Sequence, residues 1–184
     1  MNREIVVFRL GHRLPRDERI STHVALVARA FGASNIIYSG QKDSSLEESV
    51  SRICDKWGAN TKNNSKFTIE YEEKEISRVK KLKEDGYFIV HLTMYGTGVD
   101  QIKKECASEE KVLIIVRGEA VPSEIFRLSN ANISVTNQPH SEVAALAIAL
   151  DRIYSGEEMK FDHFKGSIEI EPSKIGKKII KKKQ

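Results

Sequence analysis

The polar turn at residues 136–142 carries the residues best suited to bind a small molecule. It lies between a short β-type run at residues 132–135 and eight unbroken apolar residues at 143–150. The apolar run predicts a helix that is buried on nearly all sides. Pro139 fixes the chain just ahead of this helix, and Ser141 or His140 can cap its free N–H groups. Because ligands of open α/β sheets bind beyond the carboxyl ends of strands, this turn is predicted to line a binding site.

Two further loops have the same position relative to their strands. Residues 92–97 and 117–122 each follow an apolar strand and precede a helix. The backbone groups of all three loops are therefore predicted to converge on one crevice, although many α/β domains have such loops and bind nothing there. The Gly96-x-Gly98 pair lacks the third glycine of a dinucleotide fingerprint, and the chain has no GK[ST] phosphate loop. An ATP- or NAD-dependent enzyme is therefore disfavoured.

Basic residues are concentrated near both ends of the chain. Six of the eleven arginines fall within the first 33 residues, and residues 174–183 hold six lysines and no acid. The N-terminal cluster is predicted to form a phosphate-binding surface for RNA, and consists of Arg9, His12, Arg13, Arg16 and Arg19. The alternative is a solvated loop whose charge Asp17 and Glu18 partly neutralise. The lysine tail is predicted to raise non-specific affinity for RNA.

Histidine and cysteine spacing gives no sign of a metal site or of covalent catalysis. The five histidines show no HxxH spacing, and Cys54 and Cys106 are far apart with no CxxC pair. Neither zinc nor a disulfide framework is therefore expected, and a reducing cytoplasm is the expected compartment. His140 is the histidine best placed to touch a ligand, whereas His91, at a strand end, is expected to be a core residue.

The 184 residues predict one α/β domain with a mostly parallel sheet and helices on both faces. Hydrophobic residues make up 40% of the chain and charged residues 30%, and no apolar run approaches the roughly 20 residues of a membrane span. Strands are predicted at residues 4–9, 35–38, 66–71, 87–92, 111–116 and 132–135. Helices are predicted at 23–31 (capped by Ser21 or Thr22), 46–57, 75–83 and 100–106, and in a short segment ending near 128. Residues 60–66 are predicted to be a polar loop, and a hairpin is expected beyond residue 158.

Four stretches in order resemble the archaeal tRNA cytidine-56 2′-O-methyltransferase family of the SPOUT class. They are RLGHRLPRDERISTHVALVARAFGA at 9–33, HLTMYG at 91–96, VLIIVRGEAVPSEIF at 112–126 and NQPHSEVAALAIALDR at 137–152. The resemblance implies a SPOUT methyltransferase domain at residues 1–158 with a C-terminal trefoil knot, and leaves residues 159–184 as a basic extension. It also implies S-adenosylmethionine as cofactor, tRNA as substrate and a homodimer. The alternatives are a non-catalytic RNA-binding protein on the same scaffold and another nucleotide-binding α/β enzyme.

The same resemblance assigns roles to individual residues. Arg29 matches the arginine of the first motif of related ribose methyltransferases, and His23 stands where they have asparagine; both are expected to be catalytic. Since the pKa of arginine is normally above about 12, Arg29 is expected to orient the hydroxyl or a phosphate rather than to act as a base. Arg117-Gly118 stands where this branch usually has Gly-Ala. The expected cofactor contacts are Leu92, Arg117, Gly118, Glu119, Ala120, Val121, Val135, Thr136, Asn137, Gln138, Pro139, His140, Ser141 and Glu142.

Overall fold

The computed structural model describes residues 3–59, 65–118, 121–162 and 164–182. Within these residues one parallel sheet has the strand order β3-β2-β1-β5-β4-β6. Its strands are β1 (Glu4–His12), β2 (Asn35–Gly40), β3 (Ile69–Tyr71), β4 (Phe88–Gly98), β5 (Lys111–Val116) and β6 (Ala131–Ser134). The helices are α1 (Glu18–Ala30), α2 (Ser44–Trp57), α3 (Glu75–Glu84), α4 (Ile102–Glu105), α5 (Ser123–Leu128) and α6 (Glu142–Tyr154). The predicted α/β class with a mostly parallel sheet is confirmed.

The hydrophobic core lies on both faces of this sheet. Successive strand residues point to opposite faces, so Ile5 and Val7 of β1 join one cluster while Val6 and Phe8 join the other. Helices α1, α2 and α6 cover the first face, and α3 and α5 cover the second. Because both faces are covered, the strands read as continuous apolar runs in the sequence.

Helix α6 begins as predicted but is less enclosed than predicted. The Ser141 hydroxyl accepts a hydrogen bond from the Val143 N–H at 3.2 Å, which confirms the N-cap. The buried residues of α6 include Ala145, Leu146, Ala149 and Leu150, whereas Ile148 on the opposite face is 38% exposed. The expectation of burial on nearly all sides was wrong for the single chain, because small apolar residues such as Ala144 also lie on the open face.

Helix α1 begins five residues earlier than predicted. Residues Ser21 and Thr22 do not cap it but lie inside it. The Thr22 hydroxyl donates to the carbonyl of Glu18 one turn earlier, at 2.9 Å, and the Ser21 hydroxyl meets Nδ1 of His12 at 2.7 Å. Thr22 therefore bonds the preceding helical turn, as hydroxyl residues inside helices can, and Ser21 contacts β1 instead of capping the helix.

Strand β4 continues through the turn predicted at its end. Both Leu92 and Thr97 align with Ile133 of β6, so residues 93–96 form a bulge between them. Gly96 of this bulge lies so close to β6 that an added Cβ would be 2.4 Å from the Asn132 carbonyl oxygen. The bulge is therefore pinned to the edge strand where the loops meet.

A small antiparallel pair, β7 (Ile168–Ile170) with β8 (Ile179–Lys181), lies near the C-terminus. The chain just before this pair contacts the end of α2. There Lys165 forms an isolated antiparallel β-bridge with Gly58, and the Ser167 hydroxyl donates a hydrogen bond to the Lys56 carbonyl. The domain boundary at residue 158 stays a prediction. Of the predicted 60–66 loop, residues 60–64 lie outside the described residues. Among the helices of the described chain, none is long and apolar enough to cross a membrane.

Candidate functional site

A cavity of about 500 Å³ lies at the carboxyl ends of β4, β5 and β6. The loops after these three strands each contribute to its wall, as their sequence positions predicted. It is lined by Leu92, Thr93, Met94, Tyr95, Val116, Arg117, Gly118, Val121, Phe126, Ile133, Val135, Pro139, His140, Glu142 and Ala145. The wall is mainly apolar with a few charged or polar groups, which is the usual character of a small-molecule pocket.

The structure brings most of the expected cofactor residues together here. Those that line the cavity are Leu92, Arg117, Gly118, Val121, Val135, Pro139, His140 and Glu142. Thr136, Asn137, Gln138 and Ser141 do not line it, and Glu119 and Ala120 lie outside the described residues. Asn137 instead stabilises the β4 bulge, because its side-chain amide donates hydrogen bonds to the carbonyls of Met94 at 2.7 Å and Gly96 at 3.3 Å. This contact joins the loop after β6 to the β4 bulge.

Seven lining residues were missed from the sequence: Thr93, Met94, Tyr95, Val116, Phe126, Ile133 and Ala145. Val116 closes its strand and Ile133 lies next to the end of β6, so the strand-end rule offered a signal for both. Thr93 to Tyr95 were within the predicted loop and were not singled out. Phe126 reaches the cavity from α5, where its ring packs edge-on against His91 with centroids 4.7 Å apart, and no sequence pattern indicated that.

A buried ion pair lies beside the cavity. Arg9 donates from Nη2 to Oε1 of Glu142 at 3.0 Å, and its Nη2 is 3.5 Å from an oxygen of Asp17. The Arg9 side chain is 2% exposed and that of Glu142 is 6% exposed. Burial raises the pKa of Glu142, while the charge and hydrogen bond of Arg9 lower it. The pair joins β1, the centre of the sheet, to the first turn of α6.

The prediction that Arg9 and His12 belong to an exposed RNA surface was wrong. Both residues lie on β1, whose side chains enter the covered faces of the sheet, and His12 is 0% exposed. His12 contacts Ser21 through Nδ1, and its Nε2 lies 3.2 Å from Oδ2 of Asp43. Burial, with a further contribution from the nearby Arg9, lowers the pKa of His12.

The other arginines of the cluster do reach the surface. The side chains of Arg13 and Arg16 are 39% and 60% exposed and lie within 3.6 Å and 3.8 Å of Asp17, and Arg19 is exposed on α1. Asp17 therefore neutralises part of the cluster, as the alternative interpretation expected. Phosphate binding by these three arginines stays a prediction.

Neither of the two predicted catalytic residues lines the cavity of this chain. Arg29 is 9% exposed, and its guanidinium donates to the carbonyls of Gly58 at 2.8 Å and Trp57 at 3.0 Å, at the end of α2. Its charge also lies 4.5 Å from the centre of the Phe164 ring, and burial lowers its pKa. His23 is exposed on α1. These contacts give Arg29 a role in holding the end of α2, and catalysis by either residue stays a prediction.

Comparison with known proteins identifies the family. A family model described as tRNA ribose 2′-O-methyltransferase, aTrm56, matches residues 63–180. The chain belongs to this family. It is 44% identical over 174 residues to the tRNA (cytidine(56)-2′-O)-methyltransferase of Methanopyrus kandleri, covering 95% of this chain and 94% of that one. It is also 44% identical over 183 residues to the enzyme of the same name from Methanocaldococcus jannaschii, covering 98% of both chains.

Solved structures share the fold at lower identity. A TrmH/SpoU tRNA modifying enzyme from A. aeolicus is similar with a TM-score of 0.61 and 16% identity, over 86% of this chain and 79% of that one. The SpoU methyltransferase AviRb from Streptomyces viridochromogenes, solved in complex with AdoMet, has a TM-score of 0.55 and 14% identity, over 84% and 58% of the two chains. These similarities show that the chain shares the fold of these two enzymes.

Arg117, one of the residues that line the cavity, is also tied to other elements of the fold. Its Nη1 lies 3.5 Å from Glu75, and its guanidinium passes over Gly11, where a Cβ would be 3.0 Å away. Glu75 in turn accepts a hydrogen bond from the Ser39 hydroxyl at 2.7 Å. Gly118 follows it, next to Oε1 of Glu142. The arginine therefore fixes the β5 loop to β1 and α3.

The described part of the chain offers no cluster of three or more histidine, cysteine or acidic side chains able to hold a metal. Cys54 and Cys106 are buried free thiols, and burial raises the pKa of both. His91, expected to be a core residue, is 0% exposed and its Nδ1 meets the Asn132 side-chain oxygen at 2.9 Å.

Proposed function

We propose that this protein binds S-adenosylmethionine in the cavity and methylates the ribose 2′-oxygen of cytidine 56 in tRNA. The observation that carries the proposal is that the three strand-end loops, to which the family resemblance assigns the cofactor, meet around one cavity of about 500 Å³. A chain of this family that only bound RNA would have no need of a pocket of this size at these loops.

The residues present fit this cofactor. Leu92, Val116, Val121 and Phe126 offer apolar surface for an adenine ring, and the strand ends offer backbone amides and carbonyls. Bound S-adenosylmethionine supplies an activated methyl group on a positively charged sulfur.

The chain's own contribution is to place the ribose hydroxyl in line with that methyl group. Positioning of this kind can supply much of the acceleration, because it removes the entropy cost of bringing two reactants together. The braced bulge of β4, the anchored Arg117 and the capped start of α6 make the cavity wall rigid. Exposed Arg13, Arg16 and Arg19, with the lysine tail, would hold the tRNA backbone.

A homodimer completes the proposal, together with a trefoil knot in the C-terminal part and a cytoplasmic location. The open apolar face of α6, with Ala144 and Ile148, offers a surface for the second copy. Arg29 or His23 would then act at the partner's cavity. Support for the knot comes from the fold shared with the SpoU enzymes.

Ligand binding tests the proposal against the non-catalytic alternative. S-adenosylhomocysteine at about 100 times its Kd should stabilise the protein by about 2.7 kcal/mol, which raises Tm by roughly 5–10 °C in a chain of this size. Calorimetry should show one ligand per chain. No Tm shift and no heat at millimolar ligand would contradict the methyltransferase function.

Subunit mixing tests whether two chains share a site. Arg29→Ala protein mixed with Gly118→Trp protein should recover up to about a quarter of wild-type activity, because half of randomly formed dimers are mixed and each contains one intact site. Subunit exchange is confirmed with two differently labelled chains. Activity that stays at the level of the separate variants would show that each chain carries a complete site.

A further inference from the structure

The ion pair beside the cavity has unused hydrogen-bonding capacity. Nε and Nη1 of Arg9 and Oε2 of Glu142 are buried and have no hydrogen-bond partner among the described residues. Buried polar atoms in native proteins are nearly always paired, because an unpaired one loses its bonds to water without replacement. Of the two residues, Glu142 lines the cavity and Arg9 does not, so Oε2 of Glu142 is the unpartnered atom that an arriving ligand can engage.

Among the described residues that line the cavity, Glu142 is the one with a carboxylate. Its Oε1 is already held by Arg9, and a Cβ on Gly118 would lie 3.2 Å from that oxygen, so the loop backbone passes close by. The other basic candidate in the wall, His140, donates Nδ1–H to the Gln138 carbonyl at 2.7 Å and keeps Nε2 as an acceptor, but it is exposed, whereas Glu142 is buried and held by Arg9. Glu142 is thus the lining acceptor that the protein itself holds in place, with Oε2 left unpartnered.

The charges that face Glu142 come from three directions. Arg9 approaches from β1 and Asp17 from the start of α1, while Arg117 and His140 share the cavity wall. Burial raises the pKa of the carboxyl, and Arg9 opposes that rise. A general base works best with a pKa closer to the working pH than that of an exposed glutamate, and this environment moves Glu142 in that direction.

We propose that Glu142 accepts the proton of the ribose 2′-hydroxyl through Oε2, and that Arg9 is the positioning residue that holds Oε1. This role rests on the proposed function. The hydroxyl O–H bond breaks and its proton goes to Oε2 while an oxygen lone pair forms the new bond to the methyl carbon. The carbon–sulfur bond breaks, and its electron pair stays on sulfur, which leaves as a neutral thioether. The protonated carboxyl later returns its proton to water.

The decisive variant is Glu142→Gln, which keeps the shape and the acceptor for Arg9 but cannot take up a proton. Single-turnover methyl transfer should fall by about 100-fold or more. Calorimetry should give Kd values for S-adenosylhomocysteine and S-adenosylmethionine within about threefold of wild type. Glu142→Asp, which keeps a carboxylate, should recover part of the missing rate.

Glu158→Gln is the matched control. Glu158 is also a buried carboxyl, 3% exposed, and burial raises its pKa too, but it does not line the cavity. This variant should keep the wild-type rate and pH profile within about twofold. A loss equal to that of Glu142→Gln would mean that any buried carboxylate change disables the protein, and would overturn the assignment.

The role of Arg9 is tested by the pH profile of Arg9→Lys. Without the guanidinium hydrogen bond the Glu142 carboxylate is less stabilised, so the acid limb of the rate profile should move to higher pH. The affinity for S-adenosylhomocysteine should stay within about threefold. A merely structural role would lower Tm and leave the acid limb in place.

Failure of this inference is distinguishable from failure of the proposed function. Wild-type protein that transfers no methyl group to tRNA contradicts the function, whereas near-normal transfer by Glu142→Gln contradicts only the base role. Weaker binding of S-adenosylmethionine but not of S-adenosylhomocysteine, with an unchanged rate, would assign Glu142 to recognition of the positive sulfur instead. If Glu142→Gln does not fold, the wild-type profile decides: a rate without an acid limb overturns the proposal, and a limb that moves in Glu142→Asp supports it.

Discussion

Replacing Gly96 by alanine should damage the cavity without touching any lining side chain. A Cβ at this position would lie 2.4 Å, 2.6 Å and 2.7 Å from backbone atoms of Asn132 and Ile133. Ordinary contacts begin near 3.4 Å, so the β4 bulge or the edge strand must move by about 1 Å. Overpacking of this kind costs about 1–3 kcal/mol, or roughly 2–12 °C in Tm for a chain of this size. A shift of about 1 Å in Met94 and Tyr95 should also slow methyl transfer by up to about 100-fold.

The chain offers its own control two residues along. Gly98 has no atom within 4 Å of its added Cβ and has φ −61° and ψ 144°, which any residue adopts. Gly98→Ala should therefore leave Tm and the S-adenosylhomocysteine Kd unchanged. Both variants are measured by thermal unfolding, calorimetry and single-turnover transfer. Wild-type Tm and Kd in Gly96→Ala, or equal losses in the two variants, would refute the argument from close backbone approach.

Three further outcomes follow from buried or basic groups. Arg29→Ala should lower the free energy of unfolding by about 3 kcal/mol, measured by denaturant titration, because charged hydrogen bonds to two carbonyls are removed. If the predicted catalytic role of Arg29 holds, the variant should also fail to transfer methyl groups at temperatures at which it is still folded. Unchanged stability and rate would contradict both roles. Burial lowers the pKa of His91. Below about pH 6.5 the unfolded chain therefore binds a proton at this histidine more readily than the folded chain does, so the free energy of unfolding decreases as pH falls. In His91→Gln the slope of the free energy of unfolding against pH should therefore be smaller below pH 6.5, by up to about 1.4 kcal/mol per pH unit. An unchanged slope would show that His91 does not contribute to the pH dependence of stability. Replacing the lysines of residues 174–183 by glutamine should weaken tRNA binding. The slope of log K against log salt concentration should also become shallower by about 0.7–0.9 for each phosphate that the tail no longer neutralises. An unchanged slope would show that the tail does not contact RNA.

The sheet and the location of the cavity were predictable because both depend on local patterns. Unbroken apolar runs such as residues 111–116 fit strands buried on two faces, and strand ends in a parallel sheet must share one edge. The cap of α6 was predicted as Ser141 or His140 from residue type, and the structure selects Ser141. Family motifs then assigned a cofactor to loops that composition could only mark as candidates.

The inward direction of Arg9 and His12 was not predictable from composition. A cluster of basic residues usually lies at the surface, but both faces of β1 are covered, so Arg9 and His12 are buried beside the distant Glu142 and Asp43. Those partners are separated from β1 by long stretches of chain, so no local window contains the pair. The contacts of Arg29 were not predictable for the same reason, since its carbonyl acceptors belong to the end of another helix.

The central claim is most directly tested by mapping the methylated nucleotide. Purified protein, S-adenosylmethionine and an unmodified tRNA transcript are incubated, and the T-loop fragment is analysed by mass spectrometry. We expect a gain of one methyl group on the ribose of cytidine 56, and none in a transcript with 2′-deoxycytidine at that position. Methyl transfer to another nucleotide or to a base, or no transfer despite bound cofactor, would contradict the account.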